Sequence, residues 1–391
     1  MGAGRVLDAY RRTQAEVRHA IASDDAEWVR VGALLENASL LPVDQRGAHL
    51  AAAADSVRAT LGPERWATGH RVDPVRPASD RSLAGRFRAY CEIVEDAGAL
   101  ALADAMLDAY VGADPGVDVI ERGRVEAVRA RLAWKAGDFD AATERYRRVA
   151  AVGRREHSDE LAVRALMGQS IVARQLGNYP RVRERAARAA AIAERRGMTR
   201  LAATACQVLT VGFAVARDFG TAVTHGWRAY QHGVGDPILE AEALGIIGQL
   251  FLDMGHPEPA AAAFRAIISR APADRILLPS LGGLAVAASR MGARDTVAWV
   301  EDRIESRIRA GATPYCIASA QLDLAIAWNE LDAPAHADEA RRGALALAVE
   351  YRFHEIAHHA AERQATTAPA RESLSTNVEE VADAVLHLAG L

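Results

Sequence analysis

The sequence predicts an all-α chain built as a stack of antiparallel helical hairpins, and three observations carry that prediction. Turn-forming positions recur at Gly98, Gly137, Gly177, Arg217, Gly255, Gly292 and Asp332, at intervals of 39, 40, 40, 38, 37 and 40 residues. A period of this size marks stacked supersecondary units, each unable to bury its apolar face alone. Seven residues before the turns stand Cys91, Ala130, Ser170, Thr210, Gly248, Ala285 and Ala325, and five after them Ala103, Ala142, Val182, Ala222, Ala260, Val297 and Ala337. All are small, as two closely crossing helices require. Alternating runs of valine, isoleucine and threonine are missing, which argues against strands.

Composition fits an elongated array. The chain has 391 residues, more than one core usually serves, and is 50% hydrophobic but only 5% aromatic. Alanine dominates, so the expected core is long and thin. Lys135 is the only lysine, and the net charge of −4 is unevenly spread. Residues 101–235 carry 21 basic and 15 acidic side chains, against 13 and 22 in residues 236–391. Cys91, Cys206 and Cys316 are scattered on predicted helices, where reduced, packed thiols are expected. The sequence shows neither a signal-peptide pattern nor an apolar run of about eighteen residues, so a cytoplasmic chain without a membrane span is expected.

Taken in order, residues 1–60 predict three helices. The first runs from Arg5 to Ala22; the second buries Trp28, Val31, Leu34 and Leu35 and breaks at Leu41-Pro42. The third carries Leu50, Ala54 and Val57. Residues 61–78, with Pro63, Pro74 and Pro77, read as a linker. Seven repeats are expected over 79–351, and repeat-like and capping helices over 352–391. Asp236-Pro237 and Thr313-Pro314 are cap and first-turn signals. Thr376 with Glu379 has the spacing of a capping box that opens a last helix ending at Gly390. That helix is expected to cover the apolar end of the array.

The frame around Gly137-Asp138-Phe139, with Ala142 and Tyr146, resembles the tetratricopeptide repeat family. Gly177-Asn178-Tyr179 matches at the turn, Arg217-Asp218-Phe219 keeps two of three positions, and Gly255 is followed by Ala260 and Phe264. The resemblance implies a right-handed α-solenoid of tetratricopeptide-like hairpins. These repeats exceed the family period of about 34 residues and look like the long repeats of bacterial regulatory proteins, where the array senses or docks a partner. Residues 25–50 are similar to a helical segment of bacterial kinase and regulator proteins, but no kinase glycine loop or catalytic loop follows.

The sharpest chemical motif is His354-Glu355-Ile356-Ala357-His358. On a helix, HExxH sets two imidazoles on one face as zinc ligands with the glutamate as general base. Glu362, Glu379 and Glu380 are the carboxylates available as a third ligand. The alternative is a repeat helix packed through Phe353, Ile356, Ala357 and Ala360, and that reading is favoured. Cys206 has no histidine in a recognisable catalytic signature, and no GxSxG, GxGxxG or GxxxxGK[ST] occurs. Gly282-Gly283 reads as a place for close helix packing. Arg145, Arg147, Arg148, Arg154 and Arg155, then Arg181, Arg183, Arg185 and Arg188, offer phosphate contacts. Acidic residues intervene and the chain's pI is near 6.3, so a solvated outer face is preferred to nucleic-acid binding.

In tetratricopeptide arrays the first helices line a concave groove. The resemblance places Arg124, Arg131, Trp134 and Lys135 on one strip, then Arg164, Met167 and Arg174 on the next. Gln207, Gln249, Arg290, Asp323 and Asn329 are further candidates. This set suits an extended peptide or helix carrying acidic groups, with Trp134 and Met167 as apolar contacts. The expected function is that of a non-catalytic adaptor or regulatory scaffold, with no cofactor or metal and a protein or peptide partner. A metal-dependent hydrolase and a nucleic-acid regulator are the alternatives.

Overall fold

The computed structural model describes residues 118–270, 274–309, 314–351, 354–361 and 369–390, with a few positions between 100 and 111. The three predicted N-terminal helices, the 61–78 segment, Gly98, Cys91, Phe353 and Glu362 lie outside the described residues. No strand occurs among those described.

The helices follow one another as α1 (Val119–Lys135), α2 (Phe139–Arg155), α3 (Asp159–Gln175), α4 (Tyr179–Arg195), α5 (Thr199–Ala214), α6 (Phe219–Gly233) and α7 (Pro237–Asp253). Then come α8 (Pro257–Arg270), α9 (Asp274–Arg290), α10 (Arg294–Arg309), α11 (Pro314–Glu330), α12 (Pro334–Tyr351), α13 (His354–Ala361) and α14 (Thr376–Leu388). The chain forms two compact units that divide after Val172, inside α3.

One device closes every hairpin whose predicted turn lies among the described residues, and it is the one the repeat frame predicts. Gly137, Gly177, Arg217, Gly255, Gly292 and Asp332 all have positive φ, between 53° and 81°. That conformation reverses a helix end and suits glycine; Arg217 and Asp332 adopt it despite their side chains. The amide one residue on returns to the carbonyl five before it, as in Asp138 N–H to Ala133 O (2.9 Å) and Asp218 N–H to Phe213 O (3.1 Å). At three of these turns the same residue also caps the next helix. Asp138 accepts from Ala141 N, Asn178 from Arg181 N and Asp218 from Thr221 N. A stop signal and a start signal therefore share consecutive residues, which keeps the hairpins tight.

The flanking small positions do what close crossing demands. Those among the described residues are buried, from Ala130 and Ser170 to Val297 and Ala337. In the first unit, Ala130, Ala142, Tyr146 and Val172 form one core cluster, and Ala127, Val149, Leu161 and Ala165 another. Gly168 leaves the space that the Tyr146 ring fills; a Cβ there would stand 2.0 Å from the ring. In the second unit α5–α6, α7–α8, α9–α10 and α11–α12 pack as hairpins. The first helices also meet one another in sequence, α5 on α7, α7 on α9 and α9 on α11, making a continuous face.

The last helix is placed otherwise than expected. Rather than covering the end of the array, α14 packs on α6 and α8. Its apolar side, Val378, Val381, Ala382 and Val385, is buried there. The preceding segment is tied to the hairpin turns: Glu372 N–H donates to Met254 O (3.0 Å), and the buried His256 Nε2 lies 2.7 Å from Glu372 O. A Cβ on Gly255 would stand 2.9 Å from Ala370 O and from Arg371 Cα, so the glycine leaves the gap that this segment passes through. The start of α14 also differs by one residue. Ser375, not Thr376, is the N-cap, and its side chain makes no capping bond.

Candidate functional site

Four of the candidates lie on α1 and two on α3 in the first unit. The two helices touch where the Leu161 side chain lies over Gly123, which has no Cβ to block it. A carboxylate joins their polar surfaces. Glu160 accepts from Arg124 Nε at 3.0 Å and Nη2 at 2.6 Å, and from Arg164 Nε at 2.9 Å. Burial pushes the Glu160 carboxyl up, but the two guanidiniums outweigh it and bring it down to about 2. Arg124 also meets the buried Glu121. Two cations of the predicted strip are thus already engaged by carboxylates.

Arg131 is half-buried on α1, and Lys135 is exposed at its C-terminal end, where a cation opposes the helix dipole favourably. Trp134 is half-buried against the Ala130–Tyr146 cluster, and its indole Nε1 is enclosed without an acceptor among the described residues. Met167 is 8% exposed and belongs to the core. Helical phase explains this: Met167 lies in line with Val163 and Ser170, both fully buried. It therefore offers no apolar contact to a partner. Arg174 is half-buried and belongs to the second unit.

In the second unit the first-helix face carries the other candidates. Gln249 donates to Asp253 at 2.8 Å, and Arg290 is held by Glu330 and by Leu252 O. Asp323 packs over Gly282, and burial pushes its carboxyl up to about 7. Gly283 receives the Phe264 ring. Both glycines of the pair thus serve close packing, as the sequence suggests.

The HExxH segment begins α13. Ile356 is buried in a cluster with Ala318 and Ala348 of α11 and α12, Ala357 packs against that cluster, and Ala360 is buried as well. His358 is exposed. Glu379 and Glu380 are exposed on α14, which rests on α6 and α8, whereas α13 rests on α11 and α12. Among the outer arginines, Arg145 meets Glu126 at 3.0 Å, Arg147 meets Glu144 at 2.8 Å and Arg155 meets Glu156 at 2.7 Å. Cys206 and Cys316 are buried and in no disulfide. No helix among the described residues is long and apolar enough to cross a membrane.

A cluster that motif reading overlooks joins Glu194, Cys206 and His232, on α4, α5 and α6. Glu194 and His232 are 38 residues apart in sequence and meet at 3.1 Å. Their separation is close to the repeat period, and that is the signal by which the pair could have been found.

No protein-family model matches the sequence, and no curated protein matches it. Three solved structures are similar at low identity. A Signal Transduction ATPase with Numerous Domains (STAND) protein with a tetratricopeptide repeat sensor, from Pyrococcus horikoshii, aligns with TM-score 0.48 and 11% identity over 89% of this chain and 54% of that one. The chain thus spans about half the length of that protein. BtubC (BKLC) from P. vanneervenii aligns with TM-score 0.37 and 16% identity over 71% and 98% of the two chains. The P58(IPK) TPR domain aligns with TM-score 0.20 and 13% identity over 78% and 98%. The hairpins themselves, with their left-handed turn residue and paired small positions, make the described residues tetratricopeptide-like helical repeats.

Proposed function

We propose that the chain is a protein- or peptide-binding scaffold that works through the first-helix face of its hairpins, without catalysis of its own. One observation supports this most: α1 and α3 meet through Gly123 and Leu161, and Arg124, Glu160 and Arg164 form one polar surface across two repeats. An extended or helical segment can lie across such a surface and contact both helices at once. Arg131 and Lys135 extend the same helix toward its C-terminal end. The residue set of the strip, with Arg124, Arg131 and Lys135 on α1 and Arg164 on α3, suits an acidic group on the partner. Attraction of this kind speeds encounter and weakens with salt.

The test begins with co-purification from the native host and identification of what elutes. Arg131→Glu combined with Lys135→Glu is expected to weaken the complex about tenfold or more, with unchanged helicity. Arg154→Glu, on the exposed side of α2, is expected to leave affinity within about twofold, since an isolated surface charge contributes little. The reverse pattern, loss with Arg154→Glu and normal binding with the α1 pair, would move the site to the second helices.

A further inference from the structure

The ends of α4 and α6 close over the middle of α5, and three potential ligand atoms of different chemistry converge there. Glu194 Oε1 is 3.1 Å from His232 Nε2 and 3.9 Å from Cys206 Sγ, and all three ligand atoms lie within 4.8 Å of one another. In a tetrahedral zinc site, bonds of about 2.0–2.3 Å set ligand atoms roughly 3.3–3.7 Å apart. The trio is therefore close to the spacing that one ion imposes. Cys206 is fully buried, and Glu194 and His232 are half-buried, so the sulfur forms the floor and the other two stand at the opening. Three packed helices hold them, which limits how far the atoms can drift.

We propose that Glu194, Cys206 and His232 form a site for a divalent transition ion of the zinc class, with solvent at the fourth position. A carboxylate, an imidazole and a thiolate suit such an ion, and hard cations would not use the sulfur. Arg228 Nη2 now lies 2.6 Å from Glu194 Oε1, so a guanidinium supplies positive charge where the ion would sit. Arg228 is partly exposed and at the rim, and it can swing into solvent as the ion enters. Burial pushes the Cys206 thiol up to about 11, so the free site holds S–H. On binding, the S–H bond breaks, the metal–sulfur bond forms, and one proton leaves to water. His232 binds through Nε2 in its neutral form, and Glu194 as the carboxylate.

The probe is Co2+ titrated into the reduced full-length chain, followed by thiolate-to-cobalt charge-transfer absorption. The expected result is a band that saturates at one Co2+ per chain and is displaced by Zn2+. Cys206→Ala abolishes the band, while Cys316→Ala keeps it. His232→Ala weakens binding by more than the roughly 10–100-fold typical of an outer-shell group. Arg228→Ala tightens it about tenfold, because a competing cation has gone. That last arm separates a metal site from a structural hydrogen-bond cluster, which would gain no affinity. A wild-type chain without the band overturns the proposal, as does a band that survives Cys206→Ala or is weakened by Arg228→Ala. Circular dichroism on each variant confirms that the helices are intact, and the wild-type titration decides even where a variant does not fold.

Discussion

Phe264→Ala is expected to destabilise the second unit by about 3–5 kcal/mol. The ring is 4% exposed, and it fills a notch made by two glycines on neighbouring first helices. A Cβ on Gly248 would stand 2.9 Å from it, and one on Gly283 2.4 Å. Removing the ring leaves a cavity lined by helices that cannot collapse without losing their own crossings. Gly283→Ala is expected to cost about 1–3 kcal/mol for the opposite reason, overpacking. The two changes should not add. With the ring gone, the extra methyl has room, so the double variant should recover about 1 kcal/mol or more relative to the sum. Urea denaturation of the four chains measures this coupling. Strict additivity would mean that Phe264 does not occupy the Gly248–Gly283 notch.

Replacing Glu160 by glutamine has the second large expected effect, and its size depends on pH. In the folded chain the Glu160 carboxyl is lowered from 4.5 to about 2. A group whose folded value is depressed contributes stability above its unfolded value, and that stability is lost as pH falls through the folded value. The contribution should therefore be complete above about pH 4.5 and fade between about 4.5 and 2. A shift of this size sets an upper limit near 3 kcal/mol. The side chain is 23% exposed, so screening is modest, and about 1–3 kcal/mol is expected at neutral pH. Unfolding of wild type and Glu160→Gln compared at about pH 7 and about pH 3 tests it. The gap should narrow in acid. A gap equal at both values would mean that Arg124 and Arg164 do not hold the carboxylate.

The backbone of this chain was more legible than its surfaces, for a physical reason. Turns and crossings depend on single residues at fixed offsets, so spacing alone places Arg217 and Asp332 in left-handed turns although neither is glycine. The same offsets identify Ala142 and Ala130 as buried crossing points. Side-chain fate depends instead on helical phase and on partners one repeat away. Met167 looks like a groove residue by its neighbours Arg164 and Arg174, yet its phase is that of Val163 and Ser170. Arg124 and Arg164 look like free cations until Glu160, 36 residues from Arg124, is brought between them. The Glu194–His232 pair has the same origin, a separation near one repeat that no short motif encodes. The position of α14 was not legible at all. Its apolar side fits any exposed helical surface, and the bonds of Glu372 to Met254 and His256 tie the segment before it to the turn between α7 and α8.

Photo-cross-linking to the co-purified partner tests the scaffold reading most directly. A photoreactive amino acid is placed at position 131 on α1 in one chain and at position 154 on α2 in another, each confirmed folded by circular dichroism. The first-helix reading expects an adduct with the partner from position 131 and none from position 154. An adduct from position 154 alone would contradict it and place the partner on the second helices.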